Sequence, residues 1–327
     1  MSQSAANVSV VVCTYNGEKF LREQLQSILE QTRLPDEIVI SDDGSRDSTL
    51  DIVNDIRTSG TSSKGPHWRV LTRKTPLGVS GNFGSALLEA GGDFIALADQ
   101  DDVWEPDRLE KALGLFRDGV LLVHSDATLI DASEQPMGTL MSTLRLTGRE
   151  RASLLRGRAL DVLLRRNVIT GATTVIRSSL LHQALPIPEG WVHDEWLGLV
   201  AAIQDGVIFL DSPLTRYRQH GSNEIGANKT DYDEAKRRLQ EKRTDFFQRK
   251  LRRNEGISAM VAQQPSWLDS NARSALEEKI VFDRWRSSLS SSRSQRILPV
   301  FRRWMLGDYG RYARGYLDVV RDLSLTD

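Results

Sequence analysis

The chain has 327 residues, of which 39% are hydrophobic and 27% are charged, and these proportions are typical of an ordinary globular protein. Forty-three basic residues against 44 acidic residues give a net charge of −1, so the composition does not favour a nucleic-acid-binding protein. The single cysteine, Cys13, excludes an internal disulfide framework, and no apolar run reaches the length of a membrane span. Because no secretory signal is visible, we expect a cytoplasmic protein.

Short apolar runs alternate with helical patterns along the first third of the chain. The β-branched run at residues 8–13 predicts a buried strand, and residues 37–41, 68–71 and 94–98 predict three more. Helical spacing follows the first two strands, and a third helix is expected at residues 85–90 after a loop. This alternation predicts βαβ units and an α/β fold with a mostly parallel sheet.

Carboxylates are concentrated at the end of the fourth predicted strand, where Asp99, Asp101 and Asp102 lie within four residues. Open α/β sheets bind ligands at the carboxyl ends of their strands, and massed negative charge there needs a cation. Carboxylate oxygens favour Mg²⁺ or Mn²⁺, with water and substrate phosphates as the remaining ligands. The alternative is a solvated acidic turn before a helix. Polar residues also end the first two strands, so we expect a nucleotide-sized cleft along this edge.

The second chemical centre lies near residue 194, after further strands predicted at residues 121–126, 167–176 and 207–210. Asp194 stands between aromatic residues, which can desolvate its carboxylate and raise its pKa toward that of a general base. Asp194 also suits the N-cap of the apolar helix that follows, and the two roles are compatible. Its neighbour Glu195 is a competing candidate for the base.

Three motifs, at residues 10–16, 40–47 and 98–104, together resemble those of family 2 glycosyltransferases of the GT-A fold. Their order and spacing match over roughly residues 8–225. The Asp-Gln-Asp-Asp-Val-Trp form looks most like the bacterial rhamnosyltransferase-type branch of O-antigen and related polysaccharide synthesis. The resemblance implies a GT-A catalytic domain over residues 1–225, with a nucleotide half to about residue 105 and an acceptor half after it. Residues 226–327 would form a helical appendage.

The resemblance also implies roles for individual residues. The expected nucleotide contacts are Thr14, Tyr15, Asn16, Glu18, Asp42, Asp43, Asp99 and Arg218. The expected ligands of Mg²⁺ or Mn²⁺ are Asp101, Asp102 and His220. The expected acceptor contacts are Asp126, Thr170, His193, Glu195 and Trp196. Asp194 matches the position of the family's catalytic base. Turn formation remains an alternative role for Asp42 and Asp126, and a plain loop position for His220.

The C-terminal region has a composition of its own. Arginines are interleaved with tryptophan, tyrosine and phenylalanine between residues 284 and 314, against a single acidic residue, Asp308. Binding at an anionic membrane surface would explain this pattern. Helices that pack their aromatic side chains on the catalytic domain and point their arginines outward would explain it equally well.

The expected activity is therefore an inverting, metal-dependent transfer of a hexose from a nucleotide-diphospho-sugar to a hydroxyl of a saccharide. The expected acceptor is a saccharide or a lipid-linked saccharide at the inner membrane face. The resemblance favours dTDP-L-rhamnose as donor, and a UDP-hexose donor is the alternative. A sugar-nucleotide pyrophosphorylase is disfavoured because the loop at residues 14–19 lacks its Gly-rich phosphate motif. A non-catalytic nucleotide-sugar-binding scaffold is the alternative of another class. No nucleic-acid partner is expected.

Overall fold

The computed structural model of the chain describes residues 6–59, 65–220, 243–263 and 265–324. Its strands are β1 (Val8–Thr14), β2 (Glu37–Asp42), β3 (His67–Thr72), β4 (Phe94–Ala98), β5 (Val103–Trp104), β6 (Leu122–Ile130), β7 (Pro136–Thr139), β8 (Thr174–Arg177) and β9 (Val207–Arg218). In the described part of the chain, these nine strands form one sheet in the order β3-β2-β1-β4-β8-β6-β9-β5, with β7 paired to β6.

The N-terminal half of the sheet is parallel, as the sequence predicts. Strands β3, β2, β1 and β4 pair in parallel, and Thr14 lies opposite Asp42 in the register of β1 and β2. Strand β8 then runs antiparallel to both β4 and β6, which makes the sheet mixed. Because β1, β2 and β4 point the same way, the polar residues that follow them meet at one edge.

Helices connect the strands and cover the sheet. The first group is α1 (Leu21–Leu29), α2 (Thr49–Ser59), α3 (Gly78–Glu89), α4 (Arg108–Leu113), α5 (Leu140–Thr143), α6 (Gly148–Leu155), α7 (Leu160–Leu163), α8 (Leu181–Ala184) and α9 (His193–Ala202). The C-terminal group is α10 (Arg243–Ala262), α11 (Ser270–Ser287), α12 (Arg293–Met305), α13 (Asp308–Tyr312) and α14 (Tyr316–Ser324). None of the helices in the described residues combines the length and apolarity that a membrane-spanning segment needs.

Hydrophobic side chains pack on both faces of the sheet, because successive residues of a strand point to opposite faces. Val10 and Val12 belong to one buried cluster, while Val11 belongs to the other. The cluster that contains Val11 continues without a break into the C-terminal helices, where it includes Leu276 and Tyr309. The C-terminal helices therefore share a core with the α/β part of the protein. The expected boundary at residues 225/226 lies outside the described residues.

Three local predictions are wrong. Helix α3 begins at Gly78 and not near residue 85, because the carboxylate of Asp43 accepts the N–H groups of Leu77 and Gly78 at 2.8–3.1 Å and caps the helix from a distant loop. Strand β6 continues past Asp126, which was expected to end it. Strand β9 continues to Arg218, well beyond Leu210, where the predicted strand ended.

Candidate active site

A cavity of about 650 Å³ opens at the edge of the sheet where β1 and β4 end, and the start of α9 closes its far side. This volume lies within the usual range for small-molecule sites. Its lining includes Thr14, Tyr15, Asn16, Asp43, Phe83, Asp99, Gln100, Asp101, Thr170, Gly171, His193, Asp194, Tyr217 and His220. The structure thus brings together residues from the first strand end, the acidic strand end and the segment near residue 194.

Two of the three carboxylates that follow β4, those of Asp99 and Asp101, line this cavity. Nε2 of His220 lies 2.9 Å from Oδ2 of Asp101. Burial raises the pKa of Asp101, and His220 opposes that rise. Burial also raises the pKa of Asp99 to about 7, and the negative charges of Asp101 and Asp194 add to the rise. Asp101 and Asp194 are therefore close enough to influence the ionisation of Asp99.

Asp102 and Arg218 lie beneath the cavity, and neither lines it. Asp102 is fully buried, and its Oδ1 accepts the backbone N–H of Arg218 at 2.9 Å. The guanidinium of Arg218 donates to the backbone carbonyl of Asp101 at 2.9 Å and to Glu23 at 2.6 Å. These bonds fix the acidic segment from below. The direct contact with the nucleotide that was expected for Arg218 does not fit this position.

Two side chains here could hold a divalent cation, the carboxylate of Asp101 and the imidazole of His220. Within the described residues, no cluster of three or more histidine, cysteine or acidic side chains is arranged to hold a metal. Mg²⁺ and Mn²⁺ commonly take one or two protein ligands and complete their coordination with water and substrate phosphates. The donor set therefore fits a cation that arrives with a diphosphate. Asp102 is too deeply buried to serve as readily as Asp101.

Asp194 lies in the first turn of α9 and faces the cavity. Its carboxylate accepts the N–H of Gly171 at 2.9 Å and that of Glu195 at 2.6 Å. Desolvation raises the pKa of Asp194 to about 7, Gly171 opposes the rise, and the negative charge of Glu195 adds to it. The N-cap of the helix is Val192, so the N-cap role expected for Asp194 is not observed. A carboxyl group with this pKa can exchange a proton near neutral pH.

His193 presents an uncharged imidazole to the cavity. Its ring stacks on that of Phe83, with centroids 3.9 Å apart and an angle of 15° between the planes. Burial lowers its pKa to about 3. Neither ring nitrogen has a hydrogen-bond partner among the described residues. Both nitrogens are also buried, so a ligand hydroxyl must pack directly against the ring to bond to either of them.

The loop after β1 forms one wall of the cavity. Tyr15 exposes 43% of its surface there, and its backbone N–H and C=O pair with the side-chain amide of Gln100 at 2.9 and 3.0 Å. Asn16 adopts a left-handed conformation with φ of 48°, and its Oδ1 accepts the N–H of Arg46. Glu18 accepts the N–H of Ser48 at 3.0 Å and does not line the cavity.

The two carboxylates after β2 have different positions. Asp42 is buried and accepts bonds from the Thr14 hydroxyl and from the N–H groups of Gly44 and Ser45, so it stabilises the turn and does not line the cavity. The turn role that was the alternative for Asp42 is therefore the one its contacts support. Asp43 lines the cavity while it caps α3, and Nη1 of Arg73 lies 3.7 Å from its Oδ1.

The expected acceptor residues are only partly brought together. Thr170 and His193 line the cavity. Asp126 is buried in β6, where it accepts the N–H groups of Ala127 and Met141. Trp196 is 3% exposed, and its indole N–H donates to the carbonyl of Ala184 at 2.7 Å. Contact of Asp126 or Trp196 with an acceptor does not fit these positions.

Glu195 points away from the cavity and pairs with Arg253 of α10. The acceptor contact expected for Glu195, and its role as a competitor for the base, do not fit this position either. Among the described residues of α9, Asp194 is therefore the carboxylate that lines the cavity.

Sequence reasoning missed Phe83, Gln100 and Tyr217, which also line the cavity. Gln100 stands inside the acidic motif, so its position could have been noticed. Phe83 lies on a helix predicted to begin after it, and Tyr217 lies on a strand predicted to end before it. The positions of Phe83 and Tyr217 depend on contacts between segments far apart in the chain, which a local sequence pattern does not reveal.

Several proteins are similar in sequence to this chain over most of its length. An uncharacterised glycosyltransferase of Nostoc is 26% identical over 79% of this chain and 89% of its own length. The dTDP-rhamnosyl transferase RfbG of Shigella flexneri is 27% identical over 66% of this chain and 74% of its own length. The UDP-Glc:α-D-GlcNAc-diphosphoundecaprenol β-1,3-glucosyltransferase WfgD of Escherichia coli is 26% identical over 68% of this chain and 80% of its own length.

The fold is also shared with a solved structure. The 1–349 fragment of TarS from S. aureus, crystallised with UDP-GlcNAc, aligns with a TM-score of 0.57 and 20% identity, covering 85% of this chain and 72% of that one. Together, the fold, the cleft and these relatives define an enzyme that transfers a sugar from a nucleotide-sugar donor, with the GT-A architecture. The family model "Glycosyl transferase family 2" matches residues 9–174, and the chain belongs to this family.

Proposed function

We propose that this glycosyltransferase is an inverting enzyme in which Asp194 is the general base. The observation that supports this most is that Asp194 and the acidic pair Asp99 and Asp101 line one cavity from different elements of the fold. The acceptor hydroxyl oxygen would bond to the anomeric carbon, the bond from that carbon to the diphosphate would break, and the hydroxyl proton would pass to the Asp194 carboxylate. A single displacement of this kind inverts the anomeric configuration.

The remaining residues of the cavity bind and orient the substrates in this proposal. The loop at residues 14–16 and Asp43 would contact the nucleoside, with Asp99 near the ribose. Asp101 and His220 would hold a divalent cation, which neutralises charge on the diphosphate when bound. His193 would hydrogen-bond a sugar hydroxyl through a ring nitrogen that has no partner among the described residues. Thr170 lies beside Asp194 and would face the acceptor.

For the donor, we propose dTDP-L-rhamnose, with a UDP-hexose as the second candidate. The relative RfbG is a dTDP-rhamnosyl transferase, and the relative WfgD uses UDP-Glc. The acceptor in this proposal is a saccharide, as part of bacterial surface polysaccharide synthesis. WfgD acts on a diphosphoundecaprenol-linked sugar, which favours a lipid-linked acceptor.

The test is a donor screen followed by analysis of the product. Thermal unfolding would be measured with dTDP, UDP and GDP, each with and without MnCl₂. A ligand at 100 times its dissociation constant adds about 2.7 kcal/mol to the free energy of unfolding, which is a shift of several degrees in a chain of this size. Turnover of dTDP-L-rhamnose and UDP-glucose would then be compared on saccharide acceptors, and NMR would give the anomeric configuration of the product. Retention of configuration would overturn the proposed mechanism.

We also propose that α12 rests on an anionic membrane surface. This helix buries Arg296 and Val300 but exposes 76% of Leu298, 51% of Phe301 and 42% of Trp304. Arg302 on the same helix is also exposed. Exposed apolar and aromatic side chains beside arginine are typical of helices that lie in the headgroup region. Some other residues of this region, such as Arg286 and Tyr309, are buried. The packing interpretation therefore describes Tyr309, whereas the burial of Arg286 differs from the outward arginines which that interpretation expected.

Vesicle sedimentation tests this membrane proposal. The protein should bind vesicles that contain phosphatidylglycerol more tightly than neutral phosphatidylcholine vesicles, and salt should weaken the binding. Replacing both Phe301 and Trp304 with Ser should abolish binding, whereas Leu88→Ser, at a residue that is 72% exposed on α3, should not change it. Equal binding by the double variant and the parent would contradict the proposal.

A further inference from the structure

A second cavity, of about 740 Å³, lies between α9, the helix that carries Asp194, and the C-terminal helices α10, α11 and α14. No residue lines both this cavity and the candidate active site. We call it the α10 cavity. Its walls come from the end of α7, from Trp191 and Glu195 at the start of α9, and from one face of α10 between Asp245 and Ile257. The cavity therefore exists only because the C-terminal helices pack on the catalytic part.

Positive charge dominates the α10 cavity. Among the described residues, eight cationic side chains line it against four carboxylates. The cations are Arg165, Arg166, Arg249, Lys250, Arg253, Lys279, Arg314 and Arg321, and the carboxylates are Glu195, Asp245, Asp283 and Asp318. The whole chain carries a net charge of −1, so this excess is local. A concentration of like charge inside a cavity is unfavourable unless an anion balances it.

The carboxylates around the cavity are shared between cations. Asp283 lies 2.9 Å from Nζ of Lys279 and 3.8 Å from Nζ of Lys250. Behind the wall, Glu150 pairs with Arg166 at 2.8 Å and with Arg165 at 3.6 Å. One carboxylate that faces two cations leaves an excess positive charge at each pair. Among the described residues, Asp283 and Glu150 therefore do not neutralise all four of the cations that they face.

Two polar side chains of the cavity wall, Asn254 and Lys250, are incompletely compensated by hydrogen bonds or opposite charge. The side-chain N–H₂ of Asn254 is buried, and it has no hydrogen-bond partner among the described residues. One helical turn earlier, desolvation lowers the pKa of Lys250 to about 7, and Lys279 adds to this effect. An anion in the cavity would accept a bond from the Asn254 amide and would compensate the charge on Lys250.

We propose that the α10 cavity binds a phosphoryl group of a phosphorylated ligand. Several guanidinium groups and a lysine around one volume match the oxygens of a phosphate or diphosphate through charge-assisted bonds. Apolar side chains, such as Leu163, Leu199 and Phe246, form the rest of the wall and suit an organic group attached to the phosphate. The ligand class is therefore a phosphate monoester or a diphosphate, and the site is separate from the donor cleft.

The α10 cavity is connected to the proposed base. The guanidinium of Arg253 lies on its wall, bonds to Glu195, and stacks over the ring of Trp191 with 4.0 Å between the guanidinium carbon and the ring centroid. Glu195 directly follows Asp194. A phosphoryl group in the cavity would compete with Glu195 for Arg253, so an occupied cavity would alter the position of the α9 start. This link rests on the proposed role of Asp194, whereas binding itself does not.

Titration calorimetry in metal-free buffer with EDTA tests the site, because the donor cleft then lacks its cation. The probes are pyrophosphate and geranyl diphosphate. Both should bind at one site. Lys250→Met and Arg249→Gln should weaken binding at least about tenfold, since each removes a charge-assisted bond. Arg249 is exposed, so its replacement should fold even if Lys250→Met does not. Thermal unfolding of each variant checks folding.

Two controls and the comparison of probes complete the experiment. Arg57→Gln removes an exposed arginine on α2, and Asp101→Asn changes the donor cleft; neither should alter the affinity. Tighter binding of geranyl diphosphate would identify a lipid-linked ester as the source of the phosphoryl group, and equal affinities would identify a free phosphate or diphosphate. The absence of binding at millimolar concentrations, or unchanged affinity in Arg249→Gln, would overturn the proposal. A changed affinity in Asp101→Asn, in either direction, would place the anion in the donor cleft and would also overturn it.

Discussion

The carboxylate of Glu195 at the start of α9 accepts a hydrogen bond from the guanidinium of Arg253 on α10. Trp191 supports the same contact, because its indole N–H donates to the backbone carbonyl of Arg253 at 3.0 Å. The C-terminal helices therefore hold the residue next to the proposed base. The appendage expected from the sequence is part of the structure that positions the candidate active site.

Arg253→Ala should reduce kcat more than it changes the KM for the donor. The substitution frees Glu195 and the start of α9, but it leaves the donor side of the cleft intact. The unpaired negative charge of Glu195 should also raise the pKa of Asp194, so the pH dependence of activity should move to higher pH. A lower kcat with an unchanged pH profile would indicate that Arg253 stabilises the fold but does not influence the pKa of Asp194. Arg252→Ala, at an exposed neighbouring residue, is the matched control.

Asp194→Asn should reduce kcat by about 10²- to 10⁴-fold, which is the usual contribution of a general base. Asparagine can still accept the N–H of Gly171 through its amide oxygen, so the local structure should persist. Nucleotide affinity, measured by calorimetry, should be unchanged. Loss of nucleotide binding together with activity would contradict the assignment. Glu195→Gln keeps the size of a neighbouring carboxylate and should retain far more activity.

Activity should rise with pH through about 7. Desolvation raises the pKa of Asp194 from 3.8 to about 7, and the base acts only as the carboxylate. At pH 6 most of the enzyme is therefore protonated and inactive, and kcat/KM should increase until the carboxyl group has lost its proton. Glu195→Gln removes an adjacent negative charge and should shift this rise to lower pH. A profile that is flat between pH 5.5 and 8.5, or one that falls in this range, would contradict the assignment.

Asp101 and Asp102 should differ in their effect on metal-dependent binding. Asp101 lines the cleft beside His220, whereas Asp102 is fully buried and accepts the N–H of Arg218. Asp101→Asn should therefore abolish the effect of MnCl₂ on nucleotide affinity. Asp102→Asn keeps an oxygen for the Arg218 N–H and should preserve that effect. Thermal shift titrations of both variants would show this difference, and equal losses in the two variants would mean that Asp102 also holds the cation.

Much of the fold could be predicted from local patterns. The β-branched runs that form β1, β2 and β4 are buried strands in any α/β context, and their alternation with helices predicts parallel pairing. The convergence of Asp99, Asp101 and the loop after β1 then follows, because parallel strands end at the same edge of a sheet. Asp194 was found from its charge between aromatic residues together with the family resemblance.

Tertiary structure decided which of the predicted residues face the cleft. Asp42 and Asp43 are adjacent in sequence, yet their positions differ. Asp42 accepts the N–H groups of its own turn, whereas Asp43 lines the cavity and caps α3. Asp126 lies within the long strand β6 and bonds to backbone N–H groups there. The indole of Trp196 is buried and donates to the carbonyl of Ala184. Glu195 pairs with Arg253 of α10. The sequence alone determined the chemistry of the strand ends. Which side chains reach solvent depends on hydrogen-bond partners far away in the chain, and only packing of the whole molecule defines those partners.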